Sequence, residues 1–118
     1  MDDDGSVLEA LKSLVRSLGF EVEAFASAQE FLDSPNLPRT TCLIADVNMP
    51  GMSGLELHRQ LAASGHDIPT VLITAYPDDR GRTRALGAGV ACYLRKPFGE
   101  EELLACIRVC LTKAELPP

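Results

Sequence analysis

The chain has 118 residues, a formal net charge of −6 and a hydrophobic share of 46%. This length suits one domain, and the hydrophobic share is enough to build a core. The acidic balance argues against direct nucleic-acid binding, which requires a basic face to neutralise phosphates. No apolar run is long enough to cross a bilayer, and the acidic amino terminus is unlike a signal peptide. We therefore expect a cytoplasmic protein without a membrane partner.

The hydrophobic pattern predicts helices and strands that alternate along the chain. Apolar residues at spacings of three and four indicate the helices, whereas short continuous apolar runs indicate buried strands. The predicted elements are a helix over 6–18, an edge strand over 20–25, a short helix over 27–32, a strand over 41–46, a helix over 53–63, a strand over 70–74, a helix over 78–86, a strand over 90–94 and a helix over 100–112. This order predicts a doubly wound α/β fold, in which helices cover both faces of a parallel sheet.

Four cysteines are present, and none of them forms a Cys-x-x-Cys pair. Cys42 and Cys92 lie in apolar strand-like runs. Cys106 and Cys110 lie one helical turn apart, with no histidine nearby in the sequence. We interpret all four as reduced, mostly buried small hydrophobic residues, and this pattern disfavours a metal site.

Polar side chains stand where the predicted buried strands end. Asp46 ends one strand, Thr74 ends the next, and Lys96 follows the last, while Asp2 and Asp3 precede the first helix. Because ligands bind at the carboxyl ends of the strands in an open parallel sheet, we expect these groups to converge on one rim.

Such a group of side chains suits phosphoryl chemistry. Mg²⁺ prefers an octahedron of oxygen ligands, and Asp46 with Asp2 or Asp3 can supply carboxylates for it. A carboxylate can also attack a phosphoryl group and form an aspartyl phosphate. The metal ion and Lys96 would offset the charge of the transition state, and the Thr74 hydroxyl can donate to a phosphoryl oxygen.

Each of these residues also has a plainer explanation when it is taken alone. The acidic run at 2–4 can be a solvated tail or a partner of the helix dipole. Lys96 can be a surface lysine, Tyr93 a core aromatic residue and Thr74 an ordinary strand residue. The functional interpretation is favoured because the residues occur together, in order and at one rim.

Four segments in sequence order resemble the receiver domain of bacterial two-component response regulators. The stretch Asp46-Val-Asn-Met-Pro-Gly-Met-Ser-Gly-Leu-Glu-Leu is similar to the phospho-acceptor segment of that family. The other three segments are Thr74-Ala, Tyr93-Leu-Arg-Lys-Pro-Phe and the acidic cluster Asp2-Asp-Asp. The run at 27–32 is closest to the nitrogen-fixation type, a LuxR-like group of transcription regulators that carry a carboxyl-terminal helix-turn-helix. The resemblance covers essentially the whole chain, so residues 1–118 are interpreted as one receiver domain without an output domain.

The resemblance implies a role for each residue of the rim. Asp46 would accept a phosphoryl group from a sensor histidine kinase. Asp2, Asp3 and Asp46 would hold Mg²⁺ together with the backbone carbonyl of Asn48. Lys96 would pair with a phosphoryl oxygen.

The resemblance also implies a switch. Thr74 would bind the phosphoryl group, and Tyr93 would turn inward as Thr74 moves. The face formed by residues 78–112 would then bind a second receiver or an output domain. Asn48 and Tyr76 occupy positions that tune phosphate lifetime in the family, and the bond between Lys96 and its following proline is expected to be cis. Enzymatic activity would be limited to gain and loss of the phosphoryl group at Asp46.

The chain departs from the family at its amino terminus. The resemblance implies a flavodoxin-like sheet with strand order 2-1-3-4-5, but the apolar first strand is largely missing and Met1 stands at its end. Unpaired backbone groups on the neighbouring strands would cost roughly 1–3 kcal/mol each. We therefore expect an amino-terminally truncated domain, arising either from a misplaced start or from a genuine loss.

Two other functions remain open from the residues alone. A genuine loss of the strand would favour a phosphorylation-independent interaction module. A Mg²⁺-dependent aspartyl-phosphate hydrolase uses a similar set of residues on a similar sheet. Such an enzyme generally needs a second carboxylate two residues after the nucleophile, where this chain has Asn48, which cannot supply a proton.

Overall fold

Helices and strands alternate in the computed structural model, which describes residues 1–2, 4–49 and 51–115, with side chains up to residue 112. The helices are α1 (Gly5–Ser17), α2 (Ala28–Leu32), α3 (Gly54–Ala63), α4 (Asp79–Gly87) and α5 (Glu100–Glu115), with a short 3-10 turn at Leu37–Arg39. The strands are β1 (Leu43–Asp46), β2 (Thr70–Thr74) and β3 (Cys92–Arg95). No helix within these residues is both long and apolar enough to span a membrane.

The three strands form one parallel sheet in the order β1-β2-β3. Leu43 of β1 lies opposite Thr70, and Asp46 lies opposite Ile73. Thr74, at the end of β2, lies opposite Arg95 of β3. Consequently the ends of all three strands meet at one edge, and the predicted parallel α/β architecture is confirmed.

Strand β2 is the centre of the sheet, and all five of its residues are buried. Val71 and Ile73 pack in a cluster with residues of α1 and α5. Leu72 points to the opposite face and packs in a second cluster with residues of α2, α3 and α4. Helices on both faces therefore bury the sheet, which explains why its strands read as continuous apolar runs.

Polar side chains fix the start of four helices. Asp4 accepts hydrogen bonds from the first backbone N–H groups of α1, and Ser27, Ser53 and Asp78 do the same for α2, α3 and α4. At α2 the predicted capping residue is confirmed, since the Ser27 hydroxyl accepts from the Glu30 N–H at 3.2 Å. These caps satisfy N–H groups that otherwise lack partners at a helix start.

The predicted edge strand over 20–25 is wrong, because the structure assigns no strand to this segment. The segment borders a cavity of about 540 Å³ that also reaches β1 and the inner faces of α1 and α5. A strand needs a backbone partner at hydrogen-bonding distance, and the cavity separates the segment from β1. The alternation of apolar and polar residues in 20–25 therefore orients side chains without producing a ladder.

Met1 is the residue that borders β1 on the side away from β2. Its amino group donates to the Ile44 carbonyl at 2.6 Å, and its carbonyl accepts from the Asp46 N–H at 3.0 Å. These two bonds continue a parallel pattern beside β1. This placement agrees with the expected strand order 2-1-3-4-5. The observed β1, β2 and β3 correspond to strands 3, 4 and 5 of that order, and Met1 lies where strand 1 would end.

The four cysteines lie together in the core between the sheet and α5. None of these four cysteines forms a disulfide; Cys106 and Cys110 are buried, whereas Cys42 and Cys92 are half-buried. Burial and the neighbouring Cys92 thiol raise the pKa of Cys106 to about 12. The interpretation of these residues as packing thiols is consistent with this environment, because thiols with raised pKa are unreactive.

Candidate functional site at the carboxyl ends of the strands

Asp46 is a buried carboxylate at the end of β1, with a relative exposure of 6%. Its Oδ1 accepts a hydrogen bond from the Asn48 backbone N–H at 2.8 Å. Its Oδ2 accepts one from the Lys96 ammonium at 2.7 Å. Since buried carboxylates are rare unless they are paired, this arrangement marks Asp46 as the centre of the rim.

Lys96 joins the end of the sheet to the amino-terminal acidic residues. Its Nζ donates to Asp2 Oδ2 at 2.8 Å as well as to Asp46. Its backbone N–H donates to the Thr74 carbonyl at 2.8 Å, and the Lys96–Pro97 peptide bond is cis, as predicted. One ammonium group therefore compensates two carboxylates, one from the amino terminus and one from the end of β1.

The pairing shifts the pKa of both Asp2 and Lys96 towards the charged form. Burial would raise the pKa of Asp2, but hydrogen bonds from Lys96 and the Asp4 N–H hold it below its usual value. Burial would lower the pKa of Lys96, but its hydrogen bonds to Asp2 and Asp46 raise it. Electrostatic attraction thus outweighs desolvation at this site.

Thr74 is fully buried at the end of β2, beside the carboxylate pair. Its Oγ1 accepts from the Tyr76 backbone N–H at 3.0 Å and from the Asn48 side-chain amide at 3.3 Å. The resemblance implies a backbone carbonyl role and an effect on phosphate lifetime for Asn48, but it does not predict this side-chain contact with Thr74. The position of an amide two residues after the strand-ending aspartate was the only available signal.

Tyr93 lies on β3 opposite Leu72, and its ring packs against the cluster beneath α3 and α4. Its hydroxyl lies at the first turn of α4, near Asp78 and Gly81. Burial and the negative charge of Asp78 raise the pKa of the Tyr93 hydroxyl. A hydrogen bond from the Asp78 backbone N–H opposes this shift but does not cancel it. The predicted switch residue therefore contacts α4 directly, whereas Tyr76 is 79% exposed.

The donor set of the rim fits a hard divalent cation. Asp2 and Asp46 present carboxylate oxygens to the same ammonium group, so both face one point. Such oxygens, together with a backbone carbonyl, are the ligands that Mg²⁺ prefers. Asp3, which was predicted as a further ligand, lies outside the described residues. Among those described, no group of three or more His, Cys, Asp or Glu side chains is arranged to hold a metal ion.

Two residues with close tertiary contacts were not singled out by the sequence, one at the start of β2 and one beside Asp46. His58 is buried and links α3 to its neighbours, with Nδ1 3.0 Å from Thr70 Oγ1 and Nε2 3.1 Å from the Ala88 carbonyl. Gly54 lets α3 approach β1, because a Cβ there would lie 2.6 Å from the Asp46 carbonyl oxygen. Neither contact has a signature in the sequence, because both depend on how the helices pack.

A parallel α/β sheet that gathers a buried aspartate, a lysine and a hydroxyl at one edge is typical of phospho-acceptor signalling domains. Residues 1–108 match the family described as the response regulator receiver domain, and the chain belongs to that family. Members of this family act in phosphorylation-dependent two-component signalling.

Curated and structurally characterised relatives agree with this assignment. The chain is 49% identical over 114 residues to the response regulator protein TodT of Pseudomonas putida, covering 97% of this chain. A structure of the response regulator StyR is similar, with 46% identity, a TM-score of 0.88 and coverage of 97% of this chain and 58% of that one. The crystal structure of FixJ-N has 30% identity, a TM-score of 0.86 and coverage of 100% and 93%.

The chain spans about half the length of the curated relatives that it matches, for example 50% of TodT. The similarity therefore concerns the receiver half of those proteins.

Proposed function

We propose that Asp46 is the phospho-acceptor and that a sensor histidine kinase is the donor. The observation that carries this proposal is the pairing of the buried Asp46 carboxylate with Lys96 at 2.7 Å, beside a buried threonine hydroxyl. The membership of the receiver family supports the same assignment.

The transfer can be written from the groups on the rim. An Asp46 carboxylate oxygen attacks phosphorus, a P–O bond forms, and the P–N bond to the donor imidazole breaks. Lys96 stays beside the reacting oxygen and compensates charge that develops on the phosphoryl group. Asp2, Asp3 and Asp46, with the Asn48 carbonyl, would hold Mg²⁺, which supplies further charge neutralisation when bound.

The acyl phosphate would then act on Thr74 and Tyr93. It adds a charge of about −2 at the end of β1, within the reach of neighbouring hydroxyl groups. The Thr74 hydroxyl would exchange its contacts with Asn48 and Tyr76 for one to the phosphoryl group, and Tyr93 would follow. The result is a population shift between two states of the surface formed by α4, β3 and α5, residues 78–112.

That surface is proposed to bind a second receiver or an output domain in a cytoplasmic transcription regulator. The chain itself would be a signalling module whose chemistry is limited to gain and loss of the phosphoryl group at Asp46. Asn48 and Tyr76 would tune how long the phosphoryl group persists.

The alternative of a phosphorylation-independent module rests on the amino-terminal side of the sheet. Segment 20–25 forms no strand, and among the residues that the structure describes only Met1 pairs with that side of β1. If this side destabilises the rim, the chain would bind partners without phosphorylation. The hydrolase alternative is weaker, because the Asn48 amide stands where a general acid is required and is engaged by Thr74.

Intact-protein mass after incubation with acetyl phosphate and Mg²⁺ tests the proposal. The chain is compared with Asp46→Ala, each with and without a four-residue Val/Ile extension before Met1 that can lie beside β1. We expect a hydroxylamine-labile gain of one phosphoryl group that is absent in both Asp46→Ala proteins.

Gain by the extended protein alone would show that the rim requires an apolar strand beside β1. A folded protein that gains nothing in either form would favour the phosphorylation-independent module. Turnover of many phosphate esters per molecule would instead support the hydrolase.

A further inference from the structure

Gly81 lies in the first turn of α4, directly beneath the hydroxyl of Tyr93. A Cβ at this position would lie 3.1 Å from Tyr93 Oη and 3.0 Å from Asp78 Oδ1. The Gly81 N–H also donates to Asp78 Oδ1, the capping carboxylate of α4. Separations in this range are shorter than ordinary carbon–oxygen contacts, so any side chain here would press on the tyrosine hydroxyl.

The backbone conformation does not account for a glycine at this position. Gly81 is helical, and its φ is not among the positive values of the chain. A glycine within a helix is less favourable than an alanine, because it loses more backbone freedom on folding. Gly87 of the same helix makes a useful contrast, because a Cβ there would meet nothing within 4 Å. The important feature of Gly81 is therefore its lack of a side chain beside the Tyr93 hydroxyl.

Tyr93 lies against α4 in the same conformation in which Asn48 and Tyr76 contact Thr74. Thr74 Oγ1 accepts hydrogen bonds from the Asn48 side-chain amide and from the Tyr76 backbone N–H. Tyr93 Oη lies at the first turn of α4 at the same time. The two positions are thus observed together in one conformation.

We propose that Gly81 is a positioning residue that holds the Tyr93 hydroxyl against α4 and thereby sets the balance between the two states of the switch. This inference rests on the proposed function, because it assigns the balance to the same phosphorylation switch. A side chain at 81 weakens the observed position of Tyr93 and leaves the alternative state unaffected. Because a ligand shifts a two-state equilibrium through its preferred state, binding of a phosphoryl mimic strengthens when the competing state is weakened.

The experiment follows Tyr93 and the rim separately in the full chain. The protein is labelled with 3-fluorotyrosine, and Tyr76→Phe assigns the fluorine resonance of Tyr93 among the two tyrosines. The variants are Gly81→Ala and the matched control Gly87→Ala in the same helix. Beryllofluoride with Mg²⁺ serves as the phosphoryl mimic, and calorimetry measures its half-saturating concentration.

We expect Gly81→Ala to shift the fluorine resonance of Tyr93 before any mimic is added and Gly87→Ala to leave it in place. The half-saturating concentration of beryllofluoride should fall about threefold to tenfold in Gly81→Ala, a modest coupling between sites. In a Tyr93→Phe background the same substitution at 81 should leave that concentration unchanged, because the hydroxyl that it displaces is gone.

An unchanged Tyr93 resonance in Gly81→Ala would overturn the proposal. So would a shifted resonance with unchanged or weakened binding of beryllofluoride, since Tyr93 would then not be coupled to the rim as argued. If the unsubstituted protein binds no beryllofluoride, the proposed function fails. In that case the comparison of Gly81→Ala with Gly87→Ala still decides whether Gly81 positions Tyr93.

Discussion

Lys96 is the residue on which the charge balance of the rim depends. Its ammonium group contacts the carboxylates of Asp2 and Asp46 at 2.8 and 2.7 Å, and both of these carboxylates are buried. Removing one partner of a buried ion pair is costly, because the remaining charge keeps its desolvation penalty without compensation. The Lys96 ammonium group also suits phosphoryl transfer, because it can compensate the negative charge that a phosphoryl group would bring to the rim.

The stabilising effect of Lys96 should depend on pH in a defined direction. Because the pKa of Asp2 is lowered in the folded state, Asp2 stabilises the fold at pH values above its pKa in the unfolded chain. This contribution is lost as the pH falls through the lowered pKa. Because the pKa of Lys96 is raised in the folded state, Lys96 stabilises the fold at pH values below its pKa in the unfolded chain. This contribution is lost as the pH rises through the raised pKa. Between about pH 5 and pH 9 both contributions are present.

We therefore expect Lys96→Gln to lower the free energy of unfolding by about 1–3 kcal/mol near neutral pH, and by less in acid. Urea unfolding of both proteins at several pH values without Mg²⁺ measures the difference. Arg16→Gln, at an exposed position of α1, is the control and should have little effect. A loss for Lys96→Gln that is the same at pH 3 and pH 7 would show that packing, not charge, explains the effect.

The seating of α3 on the sheet depends on Gly54, the first residue of the helix. A Cβ on Gly54 would lie 2.6 Å from the Asp46 carbonyl oxygen and 2.8 Å from Leu72 Cδ2. The contact with the Asp46 carbonyl involves backbone, which cannot move aside as a flexible side chain can. The close approach of helix and strand therefore requires glycine, and it fixes the backbone of the proposed phospho-acceptor.

Gly54→Ala should destabilise the chain by about 1–3 kcal/mol through overpacking, although alanine favours helix formation. It should also slow the acquisition of a phosphoryl group, since α3 can retreat only by displacing Asp46. Urea unfolding and the mass assay measure the two effects. Gly5→Ala at the start of α1 is the matched control, because a Cβ there meets nothing within 4 Å. Equal stability of the two variants would contradict the packing argument.

His58 shows the same dependence on packing within the helical layer. It joins α3 to Thr70 at the start of β2 and to Ala88 at the end of α4. In the sequence it is an isolated histidine with no partner. Only the crossing of α3 over the sheet brings its ring to both groups.

In the molecule as a whole, the core on the side of β1 away from β2 contains a cavity. The cavity of about 540 Å³ is bordered by segment 20–25, β1 and residues of α1 and α5. Alternate peptide groups of β1 face this cavity, because a parallel strand directs its hydrogen bonds to both sides in turn. Met1 pairs with only two of these groups, Ile44 O and Asp46 N.

An apolar extension before Met1 should therefore raise the free energy of unfolding by about 2–4 kcal/mol, through backbone hydrogen bonds and buried side chains. The measurement is urea unfolding of the chain with four added Val/Ile residues, and hydrogen exchange at Ile44 should slow at the same time. An extension of four Gly/Ser residues is the control. If both extensions have the same effect, the cavity does not accept a strand.

Local sequence patterns identify the residues that the chemistry requires and most of the elements that carry them. Buried strands over 70–74 and around 43–46 are visible because apolar runs bounded by turns can be stable only between two helical layers. Asp46, Thr74 and Lys96 were placed at one rim because parallel strands end on the same side. These inferences succeed because they depend on local patterns and on a topological rule.

Tertiary structure alone decided how these residues are connected. The shared contact of Lys96 with Asp2 and Asp46, the amide of Asn48 on Thr74 and the space above Gly81 arise between segments distant in sequence. Segment 20–25 has the pattern of a strand and forms none, because pairing depends on a neighbouring backbone and not on side-chain alternation. Contacts between elements depend on differences of a few tenths of an ångström in packing distance, and the sequence pattern does not encode such differences.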